Sequence, residues 1–217
     1  TAVGVEGTIN RERLQIFTKS EVILCAGSIQ SPQILQISGV GPPTVIRRCG
    51  ISLVAESPNV GQNLQDHYQM RTIVKMRSNN SLNKQVRNPV ELAKMGINWA
   101  LYGRGPLTIG AGQVGGAMRT RHAPTSEPDL QLFVMPLSVD KPGEPLHNYS
   151  GFTSAIWQCN PKSRGSVEIR SSDPNENPII SPNYLSEELD QKTMVEGIKI
   201  LRKIYQQPKF RNLWEAE

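Results

Sequence analysis

The stretch that most constrains the fold is a short apolar run followed by small residues and a Ser-Pro pair. Residues 21–26 (EVILCA) are mostly apolar and stop at Gly27, which predicts a parallel strand that meets a tight turn at its carboxyl end. Ser31 and Pro32 predict the start of a helix that ends near Gly39. Because the carboxyl ends of parallel strands are where such sheets bind dinucleotides, we expect a cofactor of that kind against this turn.

The order of motifs along the chain resembles one known family. Residues 27–41 (GSIQSPQILQISGVG) are similar to the second signature of the glucose-methanol-choline (GMC) family of FAD-dependent alcohol oxidoreductases, in the glycine, the Ser-Pro pair, the aliphatic pair and the closing Ser-Gly-Val-Gly. The later landmarks follow in family order, and they are residues 58–67 (PNVGQNLQDH), the turn 105–107 (GPL), and the segments 161–167, 173–174 and 178–185. The resemblance implies an FAD enzyme that acts on CH–OH groups.

Two parts that the resemblance implies are missing from this sequence. No Gly-x-Gly-x-x-Gly turn opens a first βαβ unit, where it would hold the FAD pyrophosphate at a helix N-terminus. The chain also ends before the active-site histidine of the family and its His or Asn partner would arrive. We therefore expect an internal fragment of a longer parent enzyme, with the remaining segments of that parent as its partners. We expect no catalysis by these 217 residues alone.

Composition argues against several other classes of protein. The net charge is +5, but the basic residues are scattered and the aromatic residues, 6% of the chain, are not interleaved with them, which disfavours a nucleic-acid surface. The sequence contains no run of about 18 apolar residues, so no membrane-spanning helix is predicted. Cys25, Cys49 and Cys159 are odd in number and widely spaced, so we predict neither disulfides nor a metal site, and a cytoplasmic location. The oligomeric state is not indicated.

The pattern of segments predicts an α/β region joined to an α+β region. Residues 1–67 are expected to form part of an FAD-binding Rossmann-like domain, with a hairpin in 1–20, the strand-turn-helix unit, a helix over 42–48 and a strand at 51–54. Residues 68–217 are expected to form a C-terminally incomplete substrate-binding domain, an antiparallel sheet backed by helices. Its predicted elements are strands near 70–76, 114–119, 129–135, 152–159 and 166–170, helices at 89–102 and 186–206, and a polar loop at 78–88.

Five residues are predicted to lie beside FAD, and they are Ala26, Gly27, Ser28, Ser31 and Asn63. At the strand end, any side chain larger than a methyl or hydroxymethyl group would hold the cofactor away. Asn63 belongs to a polar segment that, in the resembling family, lies close to the flavin-bearing region. Two alternatives stay open, because the turn could be ordinary packing and Asn63 or Asp66 could cap local backbone amides. His67 does not correspond to the catalytic histidine that the resemblance implies.

Three residues are predicted to line the substrate pocket. Gln113 stands where the resemblance to choline-oxidising members implies a glutamate, and a neutral amide offers no Coulomb attraction to a quaternary ammonium group. An exposed loop glutamine is the alternative. Phe133 and Trp157 are candidate walls, because such pockets are mostly apolar, although core packing would also explain each aromatic residue.

The resemblance implies that the parent enzyme oxidises a primary alcohol to an aldehyde by hydride transfer to FAD. No residue of this chain is predicted to be catalytic. A function of another class remains open, a non-enzymatic sheet-and-helix binding or structural module whose glycine turn never meets FAD.

Overall fold

Residues 1–78, 81–108, 110, 112–141 and 143–217 are described by the structure, which is a computed structural model. They form two units, each made of two separate chain segments. Unit 1 consists of residues 1–64 and 164–182, and unit 2 consists of residues 65–163 and 183–217.

The elements are numbered in chain order. The strands are β1 Gly4–Ile9, β2 Glu12–Phe17, β3 Val40–Gly41, β4 Ala55–Glu56, β5 Gln62–Leu64, β6 Gln69–Met76, β7 Val114–Met118, β8 Leu130–Met135, β9 Gly151–Gln158, β10 Gly165–Glu168, β11 Ile179–Ser181 and β12 Trp214–Ala216. The helices are α1 Gly27–Ile37, α2 Pro43–Arg48, α3 Leu82–Gln85, α4 Pro89–Tyr102, α5 Glu188–Tyr205 and α6 Pro208–Arg211, and a 3-10 turn lies at Pro106–Thr108.

Unit 1 begins with the predicted hairpin. Strands β1 and β2 pair antiparallel, with Ile9 opposite Glu12, so that Asn10 and Arg11 form a two-residue turn. Both turn residues have positive φ values, 52° and 69°, which matches the twist that short hairpin turns need.

Helix α1 differs from its predicted start. It begins at Gly27, and residues 21–25 form no strand, because among the described residues no other strand pairs with them. The Ser-Pro signal is misleading here, since the Ser31 hydroxyl accepts a hydrogen bond from the backbone N–H of Ala26 (3.1 Å) and does not cap a helix that starts after it. Pro32 therefore lies inside the helix.

The short parallel pair of unit 1 is also displaced from its predicted place. Strand β4 pairs with β3 over residues 55–56 and not over 51–54. The cause lies at Gly39, whose carbonyl oxygen accepts hydrogen bonds from the backbone N–H groups of both Val54 and Ala55 (2.8 and 3.2 Å). This bifurcated contact starts the pairing later in the chain.

A buried glutamine joins α1 to the second sheet of unit 1, which has the strand order β11-β10-β5. The Gln36 side chain is fully buried, and its Nε2 donates to the Val60 and Val167 carbonyls (3.2 and 3.0 Å) while its Oε1 accepts from the Ile169 N–H (2.9 Å). Residues 164–182 were expected in the second domain. They lie in unit 1 because β10 pairs with β5 and α1 packs on β10.

Unit 2 contains the predicted antiparallel sheet, in the order β12-β6-β9-β8-β7. Helix α5 covers one face, where Ile156 of β9 and Met194 and Leu201 of α5 are at most 2% exposed. The helical spacing of the apolar residues in α5 is the reason for this packing. Strand β9 is buried on both faces, as expected for the central strand.

Two segments of unit 2 differ from expectation. The segment 78–88 was predicted as a polar loop, but it contains α3, whose Asn83 is fully buried, while residues 79 and 80 lie outside the described residues. Helix α4 has its predicted bounds, yet Val90, Ile97 and Leu101 of its apolar stripe are 61%, 56% and 71% exposed. Within the described chain, no helix is both long and apolar enough to cross a membrane.

Candidate functional site

The turn at the start of α1 is the candidate cofactor contact of unit 1. Gly27 has φ +81°, a left-handed conformation that only glycine adopts readily. A Cβ atom built on Gly27 would meet no atom of the described residues within 4 Å, so the space beside this backbone is open. Gly27 and Ser28 are exposed, and Ala26 and Ser31 are half-buried.

The same turn presents backbone donors. The first N–H groups of a helix have no partner within the helix, and no side chain caps the N-terminus of α1. These donors and the helix dipole favour a negatively charged or hydrogen-bond-accepting group. Together with the open space at Gly27, they fit the close approach of a cofactor such as FAD. The Ser31 hydroxyl supports the turn by its bond to Ala26.

Asn63 lies elsewhere in unit 1 and is exposed. Its φ of +63° is left-handed, a conformation that asparagine tolerates better than most residues, so local backbone geometry is sufficient to explain this asparagine. The nearby Gly61 is required for packing, because a Cβ there would clash with the Val167 carbonyl and the Gln36 amide. The cofactor role of Asn63 stays a prediction.

The three predicted pocket residues lie on or beside the sheet of unit 2. The rings of Phe133 and Trp157 meet edge to face with centroids 5.4 Å apart, and both are half-buried. A Cβ atom on Gly112 would lie 2.8 Å from Cδ2 of Phe133, so the backbone before Gln113 passes directly over this ring. Gln113 itself is exposed, and its N–H donates to the Val134 carbonyl (3.0 Å) at the edge of the sheet.

A pocket of about 200 Å³ adjoins the aromatic pair in the same unit. It is lined by Gln65, Asp66, His67, Cys159, Asn160 and Pro161. The His67 ring lies 6.2 Å from that of Trp157, and its Nε2 is 3.0 Å from the Cys159 carbonyl. Burial, and next the negative charge of Asp129, raise the pKa of the Cys159 thiol, so this group stays protonated and a poor nucleophile at neutral pH.

Asp66 holds this segment together. Its Oδ1 accepts from the His67 N–H (2.9 Å), which is the local capping alternative considered for this residue, and its Oδ2 accepts from the Tyr184 hydroxyl. That hydrogen bond, followed by burial, raises the pKa of Tyr184. Asp66 therefore links the pocket residues 66–67 to Tyr184 and has a structural role.

One group near the aromatic pair was missed from the sequence. Arg71 lies on β6, and its Nε donates to Oε1 of Gln69 (2.9 Å), which is paired across the sheet with Trp157. Side chains alternate between the two faces of β6, so Arg71 lies on the face opposite to the buried Thr72 and Val74. The sequence could not say what shares that face, because strand pairing is set by residues distant in the chain.

The sequence contains one Gly-x-Gly-x-x-Gly pattern, at residues 110–115. Its last residues enter strand β7 and not a helix, so it lacks the helix N-terminus with which such a turn binds a pyrophosphate. Among the residues that the structure describes, no three His, Cys, Asp or Glu side chains are grouped to hold a metal ion.

Solved structures of two oxidases share this fold. Formate oxidase superposes with a TM-score of 0.87 at 23% identity, over 99% of this chain and 42% of that one. Another structure of this enzyme, from Aspergillus oryzae, concerns the effect of a mutation on FAD modification. Pyridoxine 4-oxidase from Mesorbium loti superposes with a TM-score of 0.78 at 21% identity, over 99% and 38% of the two chains. The combined α/β and α+β fold class is therefore confirmed.

Sequence relatives give the same family. The oxygen-dependent choline dehydrogenase of Burkholderia vietnamiensis is 35% identical over 216 residues, which cover 95% of this chain and 36% of that protein. The enzyme of the same name from Brucella canis is 34% identical over 209 residues, which cover 96% and 38%. This chain thus spans little more than a third of the relatives that it matches. Two models of one family, described as GMC oxidoreductase, match residues 1–69 and 161–216, more than half of the chain. The chain belongs to the GMC oxidoreductase family.

Proposed function

We propose that this chain is part of an FAD-dependent oxidoreductase that converts a primary alcohol to an aldehyde. Membership of the GMC family supports the cofactor and the reaction class, and the sequence relatives at 34–35% identity, which are named choline dehydrogenases, support oxidation of an alcohol. When bound, FAD would supply the acceptor for the hydride of the alcohol carbon, and a base would take the hydroxyl proton. We place that base in the parent outside residues 1–217. Family membership weighs against the non-enzymatic alternative.

The observation that carries the proposal is the turn at the start of α1. Gly27 combines a left-handed backbone with open space, and the adjacent N–H groups are uncapped. Ala26, Gly27 and Ser28 would lie against the cofactor, with Ser31 holding the turn from behind. In unit 2, the aromatic pair and the exposed Gln113 would supply walls of the substrate pocket.

The experiment compares two glycine substitutions in the full-length parent. Gly27→Val adds a side chain larger than a methyl group to the proposed cofactor contact, and Gly50→Val is the matched control, because Gly50 also has a positive φ (+70°) and open space at its Cβ. Both variants carry similar backbone strain, of about 1–2 kcal/mol. Bound flavin per folded protein is measured from absorbance. We expect flavin affinity to fall about tenfold or more for Gly27→Val, equivalent to about 1.4 kcal/mol, and to be unchanged for Gly50→Val.

Equal flavin content in both variants and the wild type would mean that this turn does not face FAD.

We also propose that the parent enzyme is located in the cytoplasm. Cys25, Cys49 and Cys159 are free thiols, which supports a reducing, cytoplasmic environment.

A further inference from the structure

The sheet of unit 2 brings a cation to the same face as the aromatic pair. Across β9, Gln69 and Gln131 are both paired with Trp157, and Arg71 and Phe133 are both paired with Ala155. Residues directly opposite each other in antiparallel strands point to the same face. Arg71, Phe133 and Trp157 therefore share the face opposite to the one that packs on α5.

The guanidinium of Arg71 is oriented on that face. Its Nε–H donates to Gln69 Oε1 at 2.9 Å, and Gln69 is two residues closer to the position of Trp157 along β6. This contact directs the side chain toward the aromatic pair. It uses only one of the guanidinium N–H groups, and the two terminal nitrogens donate to no atom of the described residues, so they are available in the planar geometry that matches a carboxylate.

The charge of Arg71 has no counter-ion in the described part of the chain, where no carboxylate lies within 4.0 Å of it. The other cation on this face of β6 is Lys75, and it is neutralised by Glu215 at 2.8 Å. An exposed cation that has no counter-ion and shares a sheet face with two aromatic rings attracts an anion and repels a cation.

We propose that Arg71 is a specificity-determining residue that binds the carboxylate of an acidic alcohol substrate. The apolar body of that substrate lies on Phe133 and Trp157, and its carboxylate pairs with the terminal nitrogens of Arg71. This inference rests on the proposed oxidation of a primary alcohol, and it extends the substrate class from uncharged alcohols to alcohols that carry a carboxylate.

The test uses the flavin-loaded full-length parent and two probe substrates, 4-(hydroxymethyl)benzoate and benzyl alcohol. We expect the wild type to have a higher kcat/KM for the carboxylate probe by about 10- to 100-fold, the range of a hydrogen-bonded charge contact. In Arg71→Gln this ratio should fall close to one, chiefly through KM for the carboxylate probe. Arg71→Lys should restore part of it. Lys75→Gln, on the same face of the same strand, is the matched control and should leave the ratio unchanged.

A second readout needs no turnover of a carboxylate substrate, because it measures inhibition of benzyl alcohol oxidation. Benzoate should inhibit the wild type more strongly than benzamide, and Arg71→Gln should remove that difference. This inference alone is overturned if the enzyme oxidises benzyl alcohol but Arg71→Gln leaves the kcat/KM ratio of the two probes unchanged. An equal fall in kcat/KM for both probes leaves that ratio unchanged and has the same meaning. A flavin-loaded enzyme that oxidises no alcohol overturns the proposed function and this inference together.

Discussion

At the scale of single residues, Gln113 gives the sharpest statement about substrate charge. A neutral amide on the chain segment that crosses Phe133 cannot attract a quaternary ammonium group, so we predict that the parent prefers uncharged primary alcohols, aromatic or aliphatic, over choline. Gln113→Glu should shift the ratio of kcat/KM toward choline by about tenfold or more, within the range measured for close charge pairs. The measurement compares choline with benzyl alcohol.

Two results would contradict that prediction. The wild type could already favour choline, as the names of its sequence relatives allow, or the glutamate could leave the ratio unchanged. Either result would mean that this exposed glutamine does not face the substrate. Gln206→Glu is a suitable control, because Gln206 is also exposed but lies at the C-terminal end of α5, which packs on the opposite face of the sheet.

Asp190 is the residue on which the link between α5 and residues 162–163 depends. The carboxylate is 1% exposed and accepts the N–H groups of Lys162 and Ser163 and the Ser163 hydroxyl at 2.6–3.0 Å. We predict that Asp190→Asn lowers the free energy of unfolding by about 1–3 kcal/mol, because an amide nitrogen would face these donors. Urea unfolding of the parent measures the change, with the exposed Glu144→Gln as control.

The effect of Asp190 should depend on pH. Burial by itself would raise the pKa of this carboxyl, but the hydrogen bonds from Lys162 and Ser163 outweigh it and hold the pKa below its ordinary value. The stabilisation is therefore fully present above the unfolded pKa of about 3.9 and is lost as the pH falls through the folded pKa. The difference between wild type and Asp190→Asn should shrink in that acid range. A constant difference across the range would contradict this assignment.

At the scale of elements, two helical glycines should respond oppositely to alanine. A Cβ on Gly197 of α5 would lie 2.6 Å from Cδ1 of Ile156 and 2.9 Å from a methyl of Leu130, both fully buried, whereas a Cβ on Gly96 of α4 would meet no described atom within 4 Å. We predict that Gly197→Ala lowers the free energy of unfolding by about 1–3 kcal/mol through overpacking, and that Gly96→Ala raises it by about 0.4–1 kcal/mol.

Denaturant unfolding of both variants in the parent protein tests this pair. A stabilising Gly197→Ala would show that α5 can move away from the sheet without loss of packing. The opposite signs matter, because both positions are helix interiors and intrinsic helix propensity alone predicts the same gain for each.

The elements that could be predicted are those whose pattern is local. The hairpin, α4, α5 and the strands β6 to β9 follow from turn residues and periodicity, and the structure confirms them. The strand at 21–26 was wrong, because pairing needs a partner that sequence patterns do not reveal. The start of α1 was wrong because the Ser31 hydroxyl turns back to Ala26. The position of β10 beside β5 was not predicted, because α1 binds β10 through the buried Gln36, and glutamine is a residue type that is mostly found at the surface.

The candidate site was predictable to a similar degree. Small residues at Gly27 and the aromatic residues of β8 and β9 are visible in the sequence, and the structure brings Phe133 and Trp157 into contact. Arg71 was not visible, since its neighbours on the sheet are about 60 to 90 residues away in the chain and only strand register unites them.

At the scale of the whole molecule, we predict that residues 1–217 expressed alone bind no FAD tightly. The only Gly-x-Gly-x-x-Gly pattern of the sequence leads into β7, so the backbone donors that a pyrophosphate needs are not provided by such a turn. The measurement is the flavin absorbance of the purified chain. A yellow preparation with close to one flavin per chain would show that the α1 turn and its surroundings suffice.

The two-segment construction of each unit has a consequence for biosynthesis. The β11-β10-β5 sheet of unit 1 cannot be completed until residues 164–182 have been synthesised, which is more than one hundred residues after β5. At a synthesis rate of about 5–20 residues per second, several seconds pass between the synthesis of α1 and that of Val167 and Ile169. During this time the Gln36 side chain lacks its hydrogen bonds to these two residues. Nascent chains cut short after residue 100 should therefore be digested by a protease within residues 27–64, whereas chains that extend to residue 217 should resist cleavage there. Folding of unit 1 is therefore completed only after most of unit 2 has been synthesised.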